Sequence, residues 1–275
     1  MPTYWVNAVN INNFLLGESD KVITLFTAEK GIVRAVAKGA RKPGTKMSGR
    51  SDVLSVNKLF LSTGKTFEII TQAESIDGFP EFRANLERLS YALYYAELTV
   101  NFGQGLNDEC AFYFEYLLAG LRLQARSGVD AAWLCLEFEL GLLDLLGYRP
   151  ELTYCVICRE VLGDYNLDIF NLELGGIVCS RCANNERRAV AEGSTNEYSD
   201  SSWKEGVHIT PLVWKNLVLA MERRISETAP EQRDRKTIKP SLQASVAAAR
   251  RLIQNYIEYR AGKRMKALDL VEQIK

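Results

Sequence analysis

The chain has 275 residues, of which 47% are hydrophobic and 25% charged, with 34 Lys/Arg against 34 Asp/Glu. That is the make-up of a globular protein with one large domain or two to three small ones. It contains no uncharged apolar run of the roughly eighteen residues a membrane helix needs, and its single histidine, His208, excludes Ser-His-Asp relays and His-rich metal centres in their usual forms.

The zero net charge conceals segregation. Residues 1–80 carry ten basic and seven acidic side chains, residues 81–200 are acidic throughout, and residues 201–275 carry fifteen basic against eight acidic. Phosphates respond to charge within about one Debye length, roughly 8 Å at physiological salt, so total charge does not argue against nucleic acid. The start, Met1-Pro2-Thr3-Tyr4-Trp5, lacks the basic and apolar stretches of a signal peptide. The six cysteines are therefore expected in a reducing cytoplasm, which favours metal binding over disulfides.

In chain order, the first eighty residues read as short strands: Tyr4–Ile11, Lys21–Thr27, Gly31–Lys38, Lys58–Ser62 and Thr66–Ala73, rich in Val, Ile, Thr and aromatics. Turn signals at Gly17-Glu18-Ser19-Asp20, Glu29-Lys30-Gly31, Pro43-Gly44 and Thr63-Gly64-Lys65 separate them. Five such strands suit a small closed barrel, which leaves no exposed sheet edge.

Between Lys30 and Arg50 lie seven basic residues and no acidic one. Arg34, Lys38, Arg41, Lys42, Lys46 and Arg50, interleaved with Gly39, Gly44 and Gly49, read as a cationic loop springing from a barrel strand. Such a loop suits phosphate contacts, which need charge and reach more than shape; a solvated surface loop is the plainer reading. Tyr4, Trp5, Phe60 and Phe67 lie near enough to stack bases, and each reads equally well as core.

From Pro80 the period changes to that of helices. Leu86, Leu89, Leu93, Ala96 and Val100 form one amphipathic stripe, Phe112, Tyr116, Ala119 and Leu123 a second, and Trp133, Leu136, Leu140 and Leu143 a third, ended by Gly147 and Pro150. Cys110 and Cys135 fall within these stripes and read as small core residues. Further on, 189–206 is polar and reads as a surface loop. Helical patterning resumes at Pro211 and closes with Leu242, Val246, Ala249, Ile253 and Tyr256. A basic cluster from Arg250 to Lys266 fits DNA contact and complementing a helix C-terminus equally well.

Cys155, Cys158, Cys179 and Cys182 stand as two C-x2-C pairs separated by twenty residues. Each pair on a tight knuckle aims two sulfurs at one ion, and two knuckles complete a tetrahedron, with Gly163 and Gly175-Gly176 placed for the turn between them. The spacing predicts one structural zinc; four buried thiols or redox disulfides are the alternatives. Four thiolates leave no open position, so the ion would not catalyse.

Taken together, these residues resemble the RecO family of bacterial recombination mediators. The resemblance rests on Leu16-Gly17-Glu18-Ser19-Asp20, Leu25-Phe26-Thr27, Lys30-Gly31 and Ala37-Lys38-Gly39-Ala40-Arg41. It continues through Tyr95-Ala96-Glu97-Leu98, Phe138-Glu139-Leu140 and Leu146-Gly147-Tyr148-Arg149-Pro150 to the four cysteines. It implies an α+β multidomain protein: an N-terminal OB-fold β-barrel over 1–80, a helical domain over 81–150 and 207–275, and a four-cysteine zinc-binding module over 151–188, with a flexible polar loop over 189–206. It further implies a non-catalytic protein that binds single- and double-stranded DNA and anneals complementary strands. With RecR, such a protein helps load RecA onto strands coated by single-stranded-DNA-binding protein (SSB), whose C-terminal tail it docks. The Lys38–Arg41 segment and its basic neighbours would carry the DNA contact. Another possibility is a zinc-containing adaptor that binds proteins without touching DNA. A nuclease or ligase would need a carboxylate cluster or an activated lysine, and no D-x-D or H-x-E constellation is present.

Overall fold

The structure, a computed structural model, describes residues 2–106, 109–126, 128–191, 206–223 and 240–267. These group into two compact units. One contains the described residues up to 131 together with 265–267; the other contains 132–223 and 240–264.

The first unit is built on five strands, β1 (Thr3–Leu16), β2 (Asp20–Thr27), β3 (Gly31–Ala37), β4 (Val56–Ser62) and β5 (Glu68–Asp77). They close into a barrel in the order β1-β2-β3-β5-β4, the OB-fold arrangement. Strand β1 serves both sides: Thr3–Val9 pairs with β4 and Ala8–Leu16 with β2, all antiparallel. A short parallel contact of β3 with β5 completes the circle. Alternation sends Val6, Ala8, Ile23, Leu25, Ala35, Leu59 and Leu61 into one apolar core.

Sequence reading ends the first strand at Ile11, whereas β1 runs on to Leu16. Its second half carries Asn12 and Asn13, residues that are poor strand formers, and the register shifts between Asn10 and Asn12. This bulge has a purpose. The side chain of Asn10, 1% exposed, donates to the carbonyls of Arg50 and Asp52 at 2.8 and 2.9 Å, and so ties the segment between β3 and β4 to the barrel.

Two long helices follow in this unit, α2 (Leu86–Phe102) and α3 (Cys110–Arg126), matching the first two apolar stripes. The Asn85 side chain caps α2 by accepting from the Arg88 amide at 3.0 Å. Phe26 on the outside of β2 meets Tyr113 of α3 edge-on at 5.1 Å. A Cβ at Gly103 would stand 3.1 Å from Phe26 and 3.2 Å from Ile32. The helices thus lie directly on the outer face of β2 and β3.

The second unit opens with α4 (Ala131–Leu145), the third stripe. It contains a three-stranded sheet, β7 (Gly176–Cys179), β6 (Leu167–Asn171), β8 (Gly206–His208) in spatial order, with helices α5 (Ser180–Ala191), α6 (Pro211–Glu222) and α7 (Pro240–Ala261). Most of the polar stretch 189–206 lies outside the described residues. Arg250 of the C-terminal basic cluster is 8% exposed and pairs at 3.7 Å with Glu139, 0% exposed. Arg260 packs among Tyr148, Tyr256 and Tyr259 and donates to the Glu173 carbonyl at 2.8 Å. No helix among the described residues is long and apolar enough to cross a membrane.

Candidate metal centre and cationic surface

The first cysteine pair sits on a tight hairpin. Leu162 donates to the Thr153 carbonyl, Cys155 to that of Glu160 and Arg159 to that of Cys155, all within 2.8–2.9 Å, and Arg159 takes the left-handed conformation (φ 60°) to turn the chain. The second pair is placed differently: Cys179 ends β7, and Cys182 lies in the first turn of α5, where the helix dipole favours negative charge. Backbone bonds from Val156 to Ile177 (3.0 Å) and from Ile177 to Glu151 (3.1 Å) bring the halves together. At Gly176 a Cβ would stand 2.6 Å from Val156 and 2.7 Å from the Glu151 carbonyl, so only glycine permits this approach.

All four Sγ atoms lie within 4.8 Å of one another. A sulfur tetrahedron around zinc, with bonds of about 2.3 Å, has edges of about 3.8 Å. Cys158 and Cys179 are 3.7 Å apart, and the sulfurs form no disulfide. Cys155 and Cys179 are buried while Cys158 is exposed, and the Cys179 amide donates to the Cys155 sulfur at 3.3 Å. Burial pushes the Cys158 thiol up, but the Glu160 amide, the Arg181 guanidinium and the neighbouring thiols outweigh it and hold the group at about 6. Burial and the adjacent sulfurs push Cys179 and Cys182 up. The residues present fit a cation: four sulfurs converge where one negative charge is already favoured and further ones need a positive partner.

In the first unit, the segment predicted as a loop is a turn followed by the short helix α1 (Lys46–Arg50). Its base is anchored. The Asp20 carboxylate accepts from the Gly39 amide at 2.8 Å, Arg41 donates to the Gly17 carbonyl at 2.9 Å, and the Arg41 amide bonds the Ser19 carbonyl. Its far end is held by Asn10 and by Asn57, whose side chain donates to the Arg50 carbonyl at 3.1 Å. Sequence reasoning missed Asn10 and Asn57; two asparagines inside strands, where they are disfavoured, were the available signal.

Arg34, Lys38, Arg41, Lys42 and Lys46 are exposed and Arg50 is half-buried. Among the described residues none of the six has a carboxylate within 4.0 Å, whereas Arg126, Arg149, Arg159, Arg181 and Arg187 are all ion-paired. The Gly39 amide first, then Ser19, Lys38 and Lys42, hold the Asp20 carboxyl below its usual range. The aromatics divide. Tyr4 lies under the Lys30 ammonium, 3.5 Å from its ring centre, with its phenol pushed up to about 12 by burial and Glu68. Trp5 and Phe60 pair at 4.9 Å on the outside of β1 and β4, and Phe67 meets Phe14.

Comparison with known proteins covers both units. Residues 1–79 match the family model described as Recombination protein O N terminal, and residues 83–193 the one described as Recombination protein O C terminal. The chain is 36% identical over 183 residues to the DNA repair protein RecO of Pelotomaculum thermopropionicum, spanning 66% of this chain and 69% of that one. It is 35% identical over 189 residues to that of Gloeobacter violaceus, spanning 67% and 70%. Its 27% identity to that of Desulforamulus reducens extends over 276 residues, 100% of this chain and 96% of the relative.

Proposed function

The chain belongs to the RecO family, whose role is in DNA repair and recombination, and we propose that it fills that role as a non-catalytic mediator in the cytoplasm, at the nucleoid. In this reading it binds single- and double-stranded DNA, anneals complementary strands, and with RecR helps load RecA onto strands coated by SSB, whose C-terminal tail it docks. The observation that carries the reading is the anchored segment between β3 and β4. Five cations stand there, Lys38, Arg41, Lys42, Lys46 and Arg50, with Arg34 on the adjoining β3, all without a carboxylate partner among the described residues, so their charge is available to phosphates. Annealing requires that phosphate repulsion between two strands be neutralised while base edges stay free. Side chains that contact phosphates meet both conditions.

Cys155, Cys158, Cys179 and Cys182 would hold one structural zinc. When bound, that ion supplies a fixed crosslink with no open coordination position. The chain's own part is to present the sulfurs, on the hairpin at Cys155–Arg159 and at the start of α5.

Fluorescence anisotropy of labelled single-stranded DNA across a salt series, repeated with a peptide of the SSB tail, tests the reading. Steeply salt-dependent binding together with peptide binding is expected. Absence of any DNA binding at low salt would sink it, and salt-insensitive binding to a protein partner alone would favour an adaptor. The exposed Tyr154, Ile157, Val161 and Tyr165 around the cysteines are the observation on that side.

A further inference from the structure

Of the six cysteines, Cys158 alone is exposed; Cys110, Cys135, Cys155 and Cys179 are buried and Cys182 is half-buried. The hairpin explains the difference. Cys155 stands inside it, its amide bonded to the Glu160 carbonyl and its sulfur receiving the Cys179 amide at 3.3 Å. Cys158 comes at the turn itself, between Ile157, 48% exposed, and Arg159, whose left-handed backbone reverses the chain. Its sulfur accepts a hydrogen bond from the Arg181 guanidinium. A cation beside an accessible sulfur is the setting in which cysteines react. Cys110 offers the contrast: its thiol, buried in α3, donates to the Leu106 carbonyl at 2.8 Å.

A partner for that reaction is already in place. The Cys158 and Cys179 sulfurs are 3.7 Å apart and belong to different halves of the centre, one on the hairpin and one at the end of β7. A bond between them joins the same two halves that the four sulfurs bring together, which a bond within either C-x2-C pair does not.

We propose that Cys158 is the point at which hydroperoxides attack this centre, and that its oxidation to a disulfide with Cys179 releases the ion. The inference rests on the zinc assignment above. In the first step the Cys158 thiolate displaces hydroxide from the peroxide: an S–O bond forms, the O–O bond breaks, and the cysteine becomes a sulfenic acid. In the second, the Cys179 thiolate attacks that sulfur, the S–S bond forms, and a second hydroxide leaves with the electrons of the S–O bond. Two thiolates have then lost two electrons, the peroxide has been reduced to two hydroxides, and two of the four donors are gone. A dithiol reverses the change by exchange, which returns both thiols. The disulfide takes over as crosslink, so the hairpin and β7 stay joined while the metal leaves.

The test treats the zinc-loaded full chain with hydrogen peroxide. Metal release is followed with a chromophoric chelator, sulfenic acid with dimedone, and disulfides by mass spectrometry. Cleavage after Arg159 and Arg181 puts Cys158, Cys179 and Cys182 in separate peptides. Dimedone should label Cys158 first, the mapped bond should be Cys158–Cys179, and zinc should leave as that bond forms. Dithiothreitol with added zinc should restore the starting state. Cys158→His, which keeps a nitrogen donor but no thiol, should release the metal about tenfold more slowly, and Cys182→His at the wild-type rate. Labelling that begins at another cysteine, a bond to any partner but Cys179, or zinc that stays bound under peroxide overturns the inference and leaves the structural zinc intact. Protein purified without metal that still forms the Cys158–Cys179 bond removes the zinc reading and keeps the reactive cysteine. Metal-free protein with Cys158 unlabelled removes both.

Discussion

The Asp20 carboxylate accepts the amide hydrogen of Gly39 at 2.8 Å, a bond that joins the first hairpin of the barrel to the root of its cationic segment. Because the folded carboxyl is held below its usual range by that amide first, then by Ser19, Lys38 and Lys42, the sign of its pH effect follows. Its stabilisation is present above the unfolded value of about 3.9 and is lost as pH falls through the lower folded value. Unfolding midpoints measured between about pH 2.5 and 7 should therefore favour wild type over Asp20→Asn at neutral pH and converge at the acid end. A constant gap across the range would refute the electrostatic account.

Zinc content offers a second check. Elemental analysis of purified protein is expected to give one zinc per chain. Cys155→Ser should lose the metal and unfold at lower temperature, since structural zinc contributes directly to folding. Cys110→Ala, a buried thiol in α3, should keep the full complement. Metal-free protein with unchanged stability would contradict the assignment.

For the cationic segment, Arg41→Ala/Lys42→Ala/Lys46→Ala should weaken binding to single-stranded and duplex DNA alike at low salt. It should also flatten the plot of log affinity against log salt by up to about 2.7 on duplex, since each of the three lost phosphate contacts removes about 0.9. Strand annealing that persists unchanged in this variant would move the site elsewhere.

Inside the second unit, Arg250 and Glu139 form a buried pair. Taking the cation from beside a buried carboxylate is unfavourable, so Arg250→Met should lower stability in denaturant unfolding, by up to about 3–5 kcal/mol. Arg250→Met/Glu139→Leu should recover much of that. If the single and double variants lose equal stability, the pair is not coupled.

Much of this molecule can be read from its residues. The barrel is legible because strand alternation and turn glycines agree, and the helices because their apolar stripes repeat at three and four residues. The convergence of the four sulfurs follows from their C-x2-C spacing, which needs only local turns and one hairpin. Other features depend on contacts distant in sequence. Asn12 and Asn13 look like a turn until the bulge at Asn10 explains them, and α1 hides among glycines because its fixing bonds come from Asn10 and Asn57. Arg250 and Glu139 read as surface charges in any pattern of polarity, and only their mutual burial reveals otherwise. Phe14 is an apolar residue in a strand end that happens to be left uncovered.

Gly176 has a consequence for the order of assembly. Its missing Cβ lets residues 151–156 and 176–177 ladder together through main-chain hydrogen bonds, and this ladder already closes the twenty-residue interval between the two thiol pairs. If the ladder forms first, the chain entropy of that closure is already lost when the ion binds. We expect metal capture to be fast and late in folding, and Gly176→Ala to slow it by leaving the ion to gather two knuckles from an open chain. Stopped-flow mixing of refolding protein with zinc and a chromophoric chelator would time the two events.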